Sequence, residues 1–535
     1  VSSANNTTVK NILFIMCDQL RWDYLSCMGH PHLHTPNIDA LAARGVTFDN
    51  TFCQAPICGP SRMSFYTGRY PTTLGSGYNN FPPRVDEMTL GDHLKPLGVR
   101  SVLVGKTHMQ PNAPDMKRLG IDPSTDLGVH VSECGFEPFE RDDGLHPNEG
   151  YDPNLRYNQW LRDQGYDSPN PWHDFANSAE GPGGEVLSGW HMKWAHLPAR
   201  IKAEHSETAY MTDRAMACIE ELGNDPWCIH LSYIKPHWPY VVPSPYHNMY
   251  GLEHIVSVNQ GEAERQNPHP VHGAFMQHGD SMTFARPEVR QRVIPAYMGL
   301  IKEIDDHLGR LWAFLEERDL FANTMIVFTS DHGDYLGDHY LGEKELLHEE
   351  SVRIPMIVYD PRPEANATRG QHLAALIEGV DMTPTFVEAV GGEPAYHWLE
   401  GRSLQPLLFG DAQAEWREAA VSEIDYSMRD ARATLGVTPA EARGHMLRTQ
   451  RYKYILWENF ASQLFDLEAD PSEQHDLGND PAHASVRAEL HEKLFRWFRL
   501  RKLRVTRTDA RILAISGEKS TQSRGVFRGY WGPED

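Results

Sequence analysis

No apolar run in this chain of 535 residues approaches the ~18 residues of a membrane-spanning helix, which excludes an integral helical membrane protein. The start, VSSANNTTVKN, lacks the basic-then-apolar layout of a signal peptide, so a cytoplasmic protein is expected. Cysteine is scarce. Cys17, Cys27, Cys53, Cys58, Cys134, Cys218 and Cys228 are odd in number and follow no disulfide framework, and a reducing compartment is the expected setting. Basic residues are in deficit, 50 Lys+Arg against 73 Asp+Glu, and a net charge of −23 argues against nucleic acid or an anionic membrane as partner. Internal repeats and low-complexity tracts are lacking as well. Sequons start at Asn5, Asn6 and Asn366, but such triplets arise often by chance and argue little for secretion.

What remains is a globular composition, 40% apolar and 23% charged, sufficient for a packed core. At roughly 150 residues per domain the length suits about three domains, or fewer if one is a large α/β unit. Short apolar runs alternate with amphipathic stretches, the pattern of a mostly parallel sheet sandwiched by helices. Asn11–Cys17, Arg100–Val104, Trp227–Ile234, Thr324–Ser330 and Ile354–Tyr359 read as buried strands because they are continuous rather than alternating. Helices are predicted at Asn37–Arg44, Ser61–Thr67, Ser206–Leu222, Pro287–Arg318 and Thr383–Val390. A large α/β domain is expected over 8–410, within which 136–204, rich in Pro, Gly, Trp and His, reads as an active-site cover. Antiparallel strands and a helix make 411–500 a smaller C-terminal α+β domain, and 501–535 reads as an extended tail in contact with another subunit.

The chemistry is concentrated where strands end. Asp18-Gln19 follow the first strand, Lys106 and His108 the second, Lys235 and His237 the third, and Asp331-His332 the fourth. In open α/β sheets, ligands bind outside the carboxyl ends of the strands. Any one of these residues alone reads more simply as a cap, a loop residue or, for Lys344, a solvated surface lysine; four strand ends together do not. An Asp-His pair offers oxygen and nitrogen donors to a divalent cation, and a histidine in the Pro-flanked turn Pro236-His237-Trp238-Pro239 is well placed for proton transfer. Cys58-Gly59-Pro60-Ser61-Arg62 opens a predicted helix, where the dipole and Arg62 favour a thiolate. Read literally, Cys58 is a nucleophile with His108 or His237 as base; the plainer reading is a buried structural cysteine.

Cys-x-Pro-Ser-Arg followed by Thr67-Gly68-Arg69 resembles the motif of the type I sulfatases, in the alkaline phosphatase superfamily and close to its arylsulfatase and phosphonate monoester hydrolase branch. Further stretches match in order: Asp18-Gln19, Thr35-Pro36-Asn37-Ile38-Asp39, Gly105-Lys106-Thr107-His108, Pro236-His237-Trp238-Pro239, Ser330-Asp331-His332-Gly333-Asp334, Glu349-Glu350-Ser351-Val352-Arg353-Ile354-Pro355 and the C-terminal RTQRYKYILW. The resemblance spans roughly 8–480.

The resemblance implies that Cys58 is oxidised to formylglycine by a formylglycine-generating enzyme and supplies the nucleophilic oxygen as its hydrate. It implies one divalent metal ion on Asp18, Gln19, Asp331 and His332, also bound by the modified Cys58. Arg62 would anchor the hydrate, with Lys106 and His108 beside it; His237 and Lys344 would face the ester oxygen and leaving group; Asn79 would contact the substrate anion. The family often has a second Asp in place of Gln19 and Asn in place of His332. The exchange lowers the negative charge and adds a nitrogen donor, so Mn2+ stands beside Ca2+ as the expected ion.

The expected substrate is a small-molecule sulfate monoester, with cross-reactivity toward phosphonate monoesters and phosphodiesters. Phosphonate monoester hydrolases of this family carry Tyr and Thr where this chain has Lys106 and His108, which favours the sulfatase reading over that alternative. A cysteine hydrolase using unmodified Cys58 is a further reading. A two-metal phosphatase is disfavoured because no second ligand cluster is evident. Phe495–Arg507 (FRWFRLRKLRVTR) is basic in an acidic protein, and Phe495, Trp497, Phe498 and Leu500 are much apolar surface to expose; a homodimer or homotetramer is therefore expected.

Overall fold

The computed structural model describes residues 9–144, 155–501 and 504–515. Its strands in chain order are β1 (Asn11–Asp18), β2 (Val46–Phe52), β3 (Arg100–Gly105), β4 (Glu137–Arg141), β5 (Ser178–Glu180), β6 (Val186–Ser188), β7 (Trp227–Pro236), β8 (Thr324–Ser330), β9 (Arg353–Ile354), β10 (Met356–Tyr359), β11 (Gln371–Glu378), β12 (Ala420–Asp425), β13 (Arg443–Arg448), β14 (Tyr452–Trp457) and β15 (Gln463–Asp466). The main sheet runs β11-β2-β10-β8-β1-β7-β3-β4, with β9 paired to β2. Its pairs are parallel except where β10 meets β8 and β2 and where β9 meets β2. This is the mixed, mostly parallel α/β sheet expected from the sequence.

β1, β7 and β8 are buried at every residue, which is why apolar residues dominate their sequences on both faces rather than alternating with polar ones. Alternate residues of β1 serve the two faces. Leu13 and Ile15 pack with the helices Glu207–Leu222 and Pro287–Glu317, whereas Ile12, Phe14 and Met16 pack with Cys58–Thr67 and Met382–Ala389. The contiguous parallel run β8-β1-β7-β3 brings four carboxyl ends to one edge, in register at Cys17↔Ser330, Cys17↔Tyr233 and Gly105↔Ser232. Gly105, at φ +113°, has no room for a side chain: a Cβ there would lie 2.0 Å from the Ser232 carbonyl oxygen.

The structure departs from the sequence reading at several strands. Pro355, lacking an N–H, divides Ile354–Tyr359 between β9 and β10, and β10 is antiparallel to its neighbours. β2 (VTFDNTF) and β11 were not anticipated, because polar residues interrupt both runs. The stretch after Phe136 opens with β4, an edge strand of the main sheet.

The C-terminal sheet is antiparallel in the order β12-β13-β14-β15, and the helix Ala484–Arg499 packs on it through Leu490 and Leu494. Two of the four aromatic and apolar side chains expected on the surface here are packed within the chain. Trp497 meets Tyr70 edge-on at 4.8 Å under the Arg501 guanidinium, and Phe498 meets His445 at 4.8 Å. Phe495 and Leu500 remain 50% and 62% exposed. Phe527–Trp531, read as a subunit anchor, lies outside the described residues. No helix of the described residues is long and apolar enough to cross a membrane.

Candidate active site

Cys58 begins the helix Cys58–Thr67, all ten residues of which are buried, with Pro60 in its first turn. Its Sγ lies 3.2 Å from His332 Nε2, 3.3 Å from Lys344 Nζ and 3.7 Å from Asp18 Oδ1. Arg62, one turn along, ties that helix to the sheet edge. Its Nε donates to Asp331 Oδ2 (2.8 Å), Nη2 to Asp18 Oδ2 (3.3 Å), and Nη1 to the Lys106 carbonyl (3.0 Å) and Ser232 Oγ (2.7 Å). Lys106 Nζ pairs with Asp18 Oδ2 at 2.5 Å. Two carboxylates thus share a dry pocket with Arg62, Lys106 and Lys344, and a buried charge cluster is tolerable only when balanced in this way.

The balance sets the titration. Burial pushes the Cys58 thiol up, but Lys344, Lys106 and His332 outweigh it and hold the group well below an ordinary thiol. Burial pushes the other six thiols the opposite way, Cys27 and Cys218 to about 12. Burial and the Cys58 charge raise the Asp18 carboxyl; Lys106, His237 and Arg62 overcome both and keep it below the usual range. Lys344 is held above its ordinary value, against burial, by Cys58 and Asp18.

Gln19 leaves β1 with φ 66° and is engaged on both ends of its amide. Nε2 donates to Asp334 Oδ2 (2.6 Å) and Tyr240 Oη (3.2 Å), while Oε1 accepts from Lys344 Nζ (2.7 Å). His332 donates from Nδ1 to the Gly333 carbonyl (2.9 Å), which turns Nε2 toward Cys58. Asp18, Cys58, Asp331 and His332 place one ligand atom each within 4.8 Å of one another. Two carboxylates and an imidazole lone pair aimed at one point, all buried, fit a divalent cation.

His237 is buried; its Nδ1 bonds the Trp238 carbonyl (2.7 Å), and its ring stands 4.4 Å from that of Trp238, which meets Trp190 at 4.6 Å. Burial, helped by Lys344, pushes His237 down to about 4, so it is neutral at pH 7 without a bound anion. His108, at φ 52°, is held by its backbone N–H on Asp143 Oδ1 (2.9 Å), which also accepts from Thr107 N (3.0 Å). Asn79 reaches the start of the Cys58 helix, its Oδ1 accepting from Gly59 N at 2.8 Å. Lys235 is not drawn in: its Nζ donates to Asn177 Oδ1 and the Pro239 carbonyl.

Sequence reasoning missed Tyr240, Asp334, Asp143 and Ser232, the side chains that hold the site residues. Only Asp334 carried a signal, its place in the Ser330–Asp334 motif. A second group, Glu264, His339 and His348, also clusters within 4.8 Å. Here Glu264 Oε1 bonds His339 Nδ1 (2.7 Å), Asn259 lies 3.1 Å from His339 Nε2, Tyr335 Oη bonds His348 Nδ1 (2.8 Å), and the two imidazoles stack at 4.0 Å and 17°. Stacked rings keep their lone pairs in two nearly parallel planes, and both His339 nitrogens have partners, so this group is an ion-paired histidine stack rather than a metal centre.

Residues 10–392 match the Sulfatase family, and 337–499 match the family described as N-sulphoglucosamine sulphohydrolase, C-terminal. A curated relative, the multifunctional alkaline phosphatase superfamily protein PehA of Trinickia caryophylli, is 32% identical, covering 92% of this chain and 95% of its own. The choline-sulfatase of Rhizobium meliloti is 27% identical over 88% of this chain and 83% of its own. Among solved structures, the phosphonate monoester hydrolase of Agrobacterium radiobacter superposes with a TM-score of 0.80 at 26% identity, covering 92% of this chain and 95% of that one. With the family match extending over most of the chain, the protein belongs to the sulfatase family of the alkaline phosphatase superfamily.

Proposed function

We propose that the protein hydrolyses sulfate monoesters, using Cys58 after its oxidation to formylglycine and one divalent ion, Ca2+ or Mn2+, held by Asp18, Gln19, Asp331 and His332. The observation that carries this reading is the convergence on Cys58 Sγ of His332 (3.2 Å), Lys344 (3.3 Å) and Asp18 (3.7 Å) at a helix start. Cys58 is unmodified here, and its Sγ marks where the hydrate oxygen would stand. The ion supplies Lewis acidity and the hydrate an oxygen nucleophile at neutral pH.

The rest is done by the chain's own groups. Arg62 fixes Asp18 and Asp331 and so orients the nucleophile's surroundings. Lys106 and Lys344 are the cations that meet negative charge developing on the non-bridging oxygens. His237 protonates the departing oxygen, which requires the bound anion to raise its proton affinity from the low value of the free site. His108 is the base on the nucleophile's side, and Asn79 contacts the anion.

A second reading, a phosphonate monoester hydrolase or phosphodiesterase with the same nucleophile, is supported by the likeness to the Agrobacterium enzyme over 92% of the chain. Lys106 and His108 favour the sulfatase. Values of kcat/KM for an aryl sulfate, an alkyl sulfate, a phosphonate monoester and a phosphodiester decide between them: the aryl sulfate is expected to lead, and a leading phosphonate would reverse the assignment. The mass of the Cys58 peptide separates formylglycine from a cysteine hydrolase.

A further inference from the structure

We propose that Asp334 and Tyr240 are positioning residues that require an amide at position 19 and, through it, set Lys344 on the nucleophile. The proposal rests on the assignment of Cys58 given above only for its catalytic consequence. Every polar atom of Gln19 is engaged: N donates to Asp331 Oδ1 (3.0 Å), O accepts from Tyr297 Oη (2.7 Å), Nε2 donates to Asp334 and Tyr240, and Oε1 accepts from Lys344. Primary amides have one donating and one accepting end, so a fixed acceptor at Nε2 dictates where Oε1 points. Asp334 is that acceptor. It is fully buried and itself held by Tyr240 Oη (2.6 Å) and Leu336 N (2.9 Å).

An acid at position 19 has no N–H to give, and it would set two acceptor oxygens 2.6 Å apart, the Gln19–Asp334 separation, in a pocket closed to water. The amide at 19 and the acid at 334 are therefore a matched pair. Lys344 is the output. Its Nζ bonds Gln19 Oε1 and Cys58 Sγ, so the path Tyr240–Asp334–Gln19–Lys344 ends on the reacting group.

The test is a double-mutant cycle of Gln19→Glu and Asp334→Asn on the intact chain, read by melting temperature and by metal equivalents bound. Gln19→Glu should melt several degrees lower, and adding Asp334→Asn should recover at least half of that loss. Equal melting of Gln19→Glu and the parent, or losses that simply add in the double variant, would overturn the matched pair. Tyr240→Phe is the conservative third variant, expected to lower kcat about tenfold with KM changed less than about threefold, since it disturbs the aim of Lys344 and not substrate binding. An unchanged kcat would remove Tyr240 from the path. Melting involves no substrate, so the cycle stands or falls separately from the choice between sulfate and phosphonate esters.

Discussion

Two clusters in this protein bring histidine and carboxylate together, two acids with one histidine in the first and one acid with two histidines in the second, and they are built to opposite ends. Around Cys58, the ends of β1 and β8 deliver Asp18, Asp331 and His332 with one imidazole nitrogen turned inward and three cations balancing the acids. Around His339, a short helix, a turn and a helix cap deliver Glu264, His339 and His348, and both nitrogens of His339 have partners. Composition does not make a metal site; donor atoms converging on one point do.

The comparison is sharpest at the nucleophile. Cys58→Ala should lower turnover on the order of 10^4-fold or more in a chain that still folds, because its loss removes the reacting atom. Next, Asp331→Asn should cost the bound ion and roughly 100-fold in rate. Glu264→Ala should leave one metal equivalent in place and instead cost about 1–3 kcal/mol of stability, the penalty for stranding a buried polar partner. A metal equivalent lost from the Glu264 variant would break the distinction.

A smaller effect falls on His237. His237→Ala should hurt alkyl esters about tenfold more than nitrophenyl esters, whose leaving groups need little protonation. With His237 held to about 4, the free enzyme is neutral there above that pH. The kcat/KM for alkyl esters should therefore rise as pH falls from 7 toward 5; a flat profile would take the proton away from His237. Smallest is the C-terminal effect: light scattering should find a homodimer or homotetramer that loosens when the chain is ended at Arg507. With Trp497 and Phe498 packed internally, only Phe495 and Leu500 in this helix end are left to contribute. A monomer at micromolar concentration would refute the oligomer.

How far the sequence could be read follows from how each part is assembled. Strand ends were legible, since a mostly apolar run marks an all-buried strand and the first acid at its end, Asp18 or Asp331, stands out. The chemistry-bearing helix was legible because Pro60 and Arg62 mark its first turn. The supports of Gln19 were not: Tyr240 and Asp334 lie 221 and 315 residues away in the chain, and even the motif that holds Asp334 does not point to Gln19. β2 and β11 were hidden for a related reason, their apolar runs being interrupted by polar residues. The Glu264 stack likewise joins Glu264 to histidines 75 or more residues along the chain.

The burial of the Cys58 helix also fixes an order of events. Cys58 is 1% exposed, and Arg62, bonded to the ends of four strands' worth of sheet, is wholly enclosed. An enzyme that recognises Cys58 by its flanking Pro60 and Arg62 cannot read them once the sheet has closed. On the function proposed above, oxidation of Cys58 belongs to the interval between synthesis and folding, the fraction of active molecules follows a race between maturation and collapse, and slowing the folding of a nascent chain should raise its yield.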